Sequence, residues 1–382
     1  MVFLSNYFNH HQKSICEELN ASSKSFCFVS TSEMREDRKK LGYGEDNIPD
    51  YVRYAHRTEQ EKKECIRLAS EADAVVIGSA PEEMIRSRIE EGKLVFRYSE
   101  RPLKKGFEPL KYFPRYLRWH SRNPKNKPIY MLCASAYTVT DYARFGLFRD
   151  SSYKWGYFPA TNTYDIDGLI KQKNKIRILW CGRFIDWKHP DDVVKLAELL
   201  KKDGCCFEIC FIGTGEMETG LKQSVKDKKL DDCVTFLGSM KPEQVRSHME
   251  QSGIFLFTSD RQEGWGAVLN ESMNSGCAVV ASHAIGSVPY LIDNGKNGLV
   301  YRSGDVEMLY EKVKYLLDNP DEQERLGRSA YDTITKEWNA KVAAERLVNL
   351  SQHILNGEKH PDLYESGPCS RAEIIKDDWF NE

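Results

Sequence analysis

Two carboxylates, Glu263 and Glu271, stand eight positions apart in the stretch Arg261-Gln-Glu-Gly-Trp-Gly-Ala-Val-Leu-Asn-Glu271. Gly264 and Gly266 lie between them and free the backbone ahead of a helix expected to start near Ala267. The amides of Trp265, Gly266 and Ala267, with Val268 behind them, would then point outward at a positive helix end, which suits a phosphate. Glu271, one turn inside, has two acceptor oxygens for the diol of a ribose. Glu263 precedes the turn, where it would meet the hydroxyls of a sugar. Each glutamate alone reads equally well as helix-end electrostatics. That reading leaves unexplained why two acids, two glycines and the end of an apolar run, "IFLFTS", coincide.

Three other segments would gather at the same end of a sheet. In "CGRFIDWKHP", Gly182 opens a turn, Arg183 offers a fork of donors and Lys188 a compact charge. Together they suit a diphosphate whose negative charge grows as it departs. Alone, the segment reads as a solvated basic loop. In "FIGTGEME", Gly213 and Gly215 would let the backbone turn tightly and approach a ligand, and Glu216 would open the next helix. In "FLGSM", the main chain of Leu237, Gly238 and Met240 could meet a flat base. The chain shows no nucleophile–base pair and no DxD motif at a strand end, so no metal is expected. The Asp pairs at 191–192, 231–232 and 377–378 read as surface.

The elements that must position these residues are apolar runs of strand length alternating with helical patterns. Runs at 24–31, 72–79, 93–99 and 129–135 follow a first strand, "VFLSN". A second series lies at 175–182, 206–213, 233–239, 252–259, 277–282 and 298–301, with helices near 190–203, 216–228, 242–250, 267–275 and 305–318. Continuous apolar strands spaced by helices indicate parallel sheets covered on both faces. The expected class is α/β, with two Rossmann-like doubly wound domains facing across a cleft. The expected boundaries are 1–168 for an acceptor-binding domain, 169–350 for a donor-binding domain, and 351–382 for a segment packing back toward the first. A single sheet of roughly ten strands is the alternative.

Net charge is −2, so any electrostatic partner must meet a local patch. Eleven cysteines without a CxxC pair fit reduced thiols in a cytosolic protein. No run is long and apolar enough for a membrane span, and "MVFLSNYFNHH" lacks the pattern of a signal peptide.

"GRFIDWKHP", "FIGTGE" and "EGWGAVLNES", followed by "GCAVVASHAIGSVPYLIDNGKNGLVY", resemble glycosyltransferase family 4, the retaining nucleotide-sugar transferases of GT-B fold. Glu, seven residues, Glu is that family's signature, and the likeness covers about 175–350. The first domain resembles bacterial capsule and O-antigen enzymes more loosely. The resemblance implies that Arg183 and Lys188 hold the donor diphosphate, Glu271 the ribose and Glu263 the donor sugar. It implies a nucleoside-diphosphate sugar as donor, most simply a UDP-sugar, with no cofactor. Tyr290 stands where the family usually has Glu, and Gly286 is kept. Many relatives place a His after a first-domain strand, where this chain has Ser99, Glu100 and Arg101. These three, with Asn9, His10 and His11 beyond the first strand, are the candidates for the acceptor or sugar side.

The segment 101–127 holds nine Lys or Arg and one acidic residue, interleaved with Phe107, Tyr112, Phe113, Tyr116 and Trp119. An interfacial anchor for an anionic membrane has this makeup; so has a solvated helix with its apolar side on the domain. Membrane contact would suit a glycan acceptor carried on a polyprenyl diphosphate, with the protein cytoplasmic and peripheral on the inner face of the cell membrane. Nucleic acid is not an expected partner. The alternatives are a transferase with a soluble sugar or glucan acceptor, and a nucleotide-sugar-binding protein without turnover.

Overall fold

The computed structural model describes residues 1–34 and 48–381. The chain folds into two compact units, Met1–Ala160 with Trp338–Ile375, and Thr161–Glu337 with Lys376–Glu382. Unit 1 is built on a seven-stranded parallel sheet of order β3-β2-β1-β4-β5-β6-β7. The strands are β1 Val2–Ser5, β2 Cys27–Ser30, β3 Val52–Tyr54, β4 Val75–Ile77, β5 Val95–Ser99, β6 Ile129–Cys133 and β7 Ser152–Lys154. Unit 2 has six parallel strands of order β10-β9-β8-β11-β12-β13. These are β8 Asn174–Cys181, β9 Glu208–Ile212, β10 Val234–Phe236, β11 Ser252–Phe257, β12 Ala278–Ser282 and β13 Leu299–Tyr301. The fold is thus two Rossmann-like sheets, not one large one. β3 and β7 escape a search for apolar runs because edge strands such as "VRY" and "SYK" bury only part of their side chains.

The helices of unit 1 are α1 His10–Ser22, α2 Glu59–Glu71, α3 Arg86–Glu90, α4 Tyr112–Arg122 and α5 Thr138–Ala143. Those of unit 2 are α6 Ile166–Gln172, α7 Pro190–Lys202, α8 Glu218–Asp227, α9 Pro242–Gln251, α10 Val268–Asn274, α11 Val288–Leu291, α12 Val306–Asp318 and α13 Pro320–Lys336. The chain then enters α14, Ala340–Leu355, which packs against α1 in unit 1. Side chains at the N-termini start several of them: Asn9 accepts from the His11 amide at 2.9 Å, and Thr58 from Glu61 at 3.1 Å. Proline at the first position starts α7, α9 and α13.

The boundaries differ from the expected ones. The first falls at Ala160/Thr161, not 168/169, because the Asn162 amide donates to Asn274 and the Tyr164 amide to Tyr331, both in unit 2. The second falls at 337/338, not 350/351, because α14 buries Ala343, Ala344, Leu347 and Leu350 on unit 1. After α14 the chain runs along β7. Cys369 donates to the Lys154 carbonyl at 2.8 Å and Ala372 to Ser152 at 3.0 Å, which covers the sheet edge. Residues 376–382 belong to unit 2, where Phe380 lies 4.8 Å from the His283 ring.

Candidate functional site

Strand order in unit 2 reverses between β8 and β11, and ligands of open α/β sheets sit beyond the carboxyl ends of strands at such a point. Two loops and a helix start meet there. After β8, Ile185 and Asp186 accept from Lys188 and His189 in a tight turn, and His189 takes a left-handed conformation (φ 49°) before Pro190 opens α7. A Cβ on Gly182 would lie 3.2 Å from Lys188 Cδ, so glycine leaves room for the lysine stem to fold back across the turn.

Lys188 Nζ pairs with Glu263 Oε2 at 2.5 Å, and Ser259 donates to the same oxygen at 3.1 Å. The Lys188 ammonium also lies 4.8 Å from the centre of the Trp187 ring. Arg183 is exposed, and its guanidinium makes no hydrogen bond to a described residue and sits 6.0 Å from Trp187. Cations predicted as a pair thus differ in state: one is held by a carboxylate, the other reaches into solvent. Thr258 locks the arrangement, donating to the Lys188 carbonyl at 2.6 Å and accepting from Trp180 Nε1 at 2.8 Å. Sequence reasoning missed Thr258 and Ser259; their place at the end of β11 was the available signal.

The backbone from Glu263 to Ala267 is clamped from behind. Gly286 donates to the Glu263 carbonyl at 3.2 Å and the Ser287 hydroxyl to the Trp265 carbonyl at 2.6 Å. The segment carrying the family departure at Tyr290 therefore acts as a brace. Gly266 takes φ 80°, and a Cβ there would meet Phe257 Cζ at 2.2 Å. Among the described residues, the amides of Gly266, Ala267 and Val268 find no acceptor. The helix itself, α10, begins one residue later than expected, at Val268.

Glu271 is half-buried, and its carboxylate accepts no hydrogen bond from a described residue. Burial pushes its pKa up, with Arg246 pulling the other way. Glu271 and Lys188 both lie near the Cys181 thiol: burial and then the Glu271 carboxylate push that thiol up to about 12, against Lys188. The structure thus brings Lys188, Glu263, Glu271 and the start of α10 to one end of β8 and β11.

Several other expected residues already make contacts within unit 2. Trp265 is fully buried, and its indole donates to Asn270 at 2.8 Å, so only its main chain is available to a ligand. Gly213 and Gly215 serve the protein's own backbone. A Cβ on Gly213 (φ 130°) would lie 1.9 Å from the Gly182 carbonyl oxygen, and one on Gly215 2.4 Å from that of Phe184. Glu216 does not open a helix; α8 starts at Glu218, which binds Lys222. Gly238 accepts from Gly213 at 2.8 Å and Leu237 donates to Phe211 at 2.8 Å, so part of the main chain expected to face a base is already engaged. Leu237, Gly238 and Met240 are half-buried. Gly264 is buried.

In unit 1, Asn9 caps α1, and the rings of His10 and His11 lie 3.9 Å apart, tilted at 46°, on its first turn. His11 lies 6.4 Å from Tyr157, whose hydroxyl donates to Glu100 Oε1 at 2.5 Å. Glu100 also binds Lys104. The histidines, Tyr157, Glu100 and Lys104 therefore share the carboxyl ends of β1 and β5. Tyr157 and Lys104 were not anticipated. Ser99 and Arg101 have structural work: the Ser99 hydroxyl donates to the Glu100 carbonyl, and Arg101 pairs with the buried Asp141 at 3.2 Å. Among the described residues, no three His, Cys, Asp or Glu lie together as a metal-binding group, and no helix is long and apolar enough to cross a membrane.

Comparison with known proteins follows this geometry. Residues 164–333 match the family model described as "Glycosyl transferases group 1", which spans nearly all of unit 2. The amylovoran biosynthesis glycosyltransferase AmsK of Erwinia amylovora is 28% identical over 184 residues, 47% of this chain and 45% of that one. The poly(ribitol-phosphate) alpha-N-acetylglucosaminyltransferase of Staphylococcus aureus is 23% identical over 202 residues, 50% of this chain and 40% of that one. The chain spans about half the length of the curated relatives it matches. Among solved structures, Anabaena HepE in complex with UDP superposes with a TM-score of 0.68 at 14% identity, covering 92% of this chain and 99% of that one. S. aureus TarM gives 0.66 at 10% identity, with 92% and 99% covered. These likenesses identify the fold as GT-B, and unit 2 as the part of the chain that is similar to group 1 glycosyltransferases.

Proposed function

We propose that this chain, whose unit 2 is similar to group 1 glycosyltransferases, moves a sugar with retention of configuration from a UDP-sugar to a lipid-linked glycan acceptor in cell-surface polysaccharide biosynthesis. One observation carries the reading: Arg183, the Lys188–Glu263 pair, the amides of Gly266–Val268 and the unpartnered Glu271 carboxylate all belong to the switch point of one sheet. The UDP complex of a neighbour of the same fold supports that nucleotide, and amylovoran biosynthesis by a relative supports the acceptor class.

On this reading a diphosphate draws Lys188 away from Glu263, and the released carboxylate takes hydroxyls of the donor sugar. Arg183, Lys188 and the amides face the charge that grows on the leaving oxygen, a preorganised field needing no nucleophile. The departing oxygen accepts the proton of the attacking hydroxyl on the same face. Glu271 holds the ribose. The two cations and the amides supply the positive charge, so the reaction is metal-independent. The exposed Leu110, Phe113 and Leu117 beside Lys111, Arg118 and Arg122 support contact of 101–127 with an anionic membrane on the cytoplasmic face.

The test is mass-spectrometric measurement of donor hydrolysis and transfer over a panel of nucleotide sugars and lipid-linked acceptors, with and without excess chelator. A UDP-sugar turned over equally in both conditions is the expected result. No turnover of any donor would refute the reading, and loss in chelator restored by Mg²⁺ or Mn²⁺ would refute metal independence.

A further inference from the structure

Unit 1 has a second polar region at the carboxyl ends of its strands, on the other side from Glu100 and Tyr157. Thr31, just past β2, and the segments after β3 and β4 line an open depression of about 410 Å³, within the range of small-ligand sites. Its floor includes the buried Ala55 and Met84. Around them stand Thr31, His56, Arg57, Glu59, Lys62 and Glu83.

The fixed charges on this rim cancel. Arg57 and Lys62 are matched in number by Glu59 and Glu83, and Lys62 Nζ lies 2.7 Å from Glu83. The Arg57 guanidinium carbon lies 3.5 Å from the centre of the Tyr54 ring, a cation–π contact. A phosphate entering here would face two carboxylates. A polyhydroxyl ligand finds what it needs: carboxylates accept from vicinal hydroxyls, arginine and lysine donate to them, and the apolar floor takes the C–H face of a pyranose.

We propose that this depression binds a neutral sugar residue of the acceptor, set back from the residue that is glycosylated, so that the protein acts on an acceptor already bearing a glycan. The inference rests on the transferase reading and deepens it. An acceptor chain would run along one sheet's carboxyl edge, from Thr31 and the segments after β3 and β4 toward His11, Tyr157 and Glu100. A preceding transferase reaction must then supply that glycan.

The test is saturation-transfer NMR on the full chain with a panel of neutral α- and β-linked disaccharides, with inorganic phosphate as competitor. Hydrolysis of UDP-sugars by the same preparation is measured in parallel. Glu59→Gln and Arg57→Ala change exposed side chains, so both variants keep the core. The expected result is saturation transfer to at least one disaccharide, reduced at least tenfold in each variant and unaffected by equimolar phosphate. No transfer to any disaccharide, unchanged transfer in both variants, or displacement by phosphate overturns the pocket. Sugar binding without hydrolysis of any donor overturns the transferase reading, and with it the acceptor role of the pocket.

Discussion

The carboxyl ends of the two sheets carry similar residues in different states. In unit 1, Arg101 is tied to a buried carboxylate and Glu100 is held by both Lys104 and Tyr157. In unit 2, Arg183 reaches solvent and the Glu271 carboxylate accepts no hydrogen bond from a described residue, while Gly213 and Gly215 are packed against the backbone of Gly182 and Phe184. A charged residue at a strand end is therefore not a site by position alone. What separates Arg101 from Arg183 is whether the protein has already satisfied the group.

The two arginines give the largest contrast. Arg101→Ala would leave Asp141 buried without its cation and is expected to cost about 3–5 kcal/mol of stability, read by denaturant unfolding. Arg183→Ala should leave unfolding unchanged, and Arg183→Ala and Lys188→Ala should each slow turnover by about 10²-fold or more. The reverse pattern would exchange the roles assigned to the two ends. Gly213→Ala tests the claim that this glycine serves backbone packing. Its Cβ would press on the Gly182 carbonyl, so a loss of about 1–3 kcal/mol is expected from overpacking, with backbone strain added. Unchanged stability with weakened UDP binding would return Gly213 to the ligand.

Glu271→Gln should weaken UDP binding by about 1.5–3 kcal/mol, the range for a hydrogen bond to a charged group. Because burial raises the Glu271 pKa in the folded state, the charged form is a liability there. Below its unfolded pKa the carboxyl is neutral in both states and costs nothing; the penalty develops as pH rises through the folded pKa. The variant should therefore melt higher than the wild type at neutral pH and alike in acid. A lower melting temperature at neutral pH would show that the carboxylate is structurally paired.

The smallest effect concerns His189. The Asp260 carboxylate, 3.6 Å from its ring nitrogen, raises its pKa above 6.5. The raised pKa means that the contribution is complete below about pH 6.5 and fades as pH climbs through the folded value. For a partly exposed pair this is a few tenths of a kcal/mol. The melting difference between wild type and Asp260→Asn should thus be larger at pH 5.5 than at pH 8.5; equal differences would remove the ion pair from the account.

Much of this was legible in the sequence because parallel strands buried on both faces must be apolar throughout, as "IYMLC" and "AVVAS" are. The order of motifs also placed Lys188, Glu263 and Glu271 in one domain. Partnering was not legible. Nothing in "YSERPL" announces that Arg101 meets Asp141, forty positions away, or that Tyr157 holds Glu100. Nor could spacing tell that Gly213 and Gly215 make room for the chain itself, since a close approach by backbone and one by ligand demand the same residue. The unit boundary at 337/338 was hidden because α14 is as amphipathic as the helices of unit 2.

Isothermal titration of UDP into the full chain tests the central claim most directly. The account predicts saturable binding at one site, weakened at least tenfold by each of Arg183→Ala, Lys188→Ala and Glu271→Gln. Absence of binding, or three variants that bind UDP as the wild type does, would contradict it.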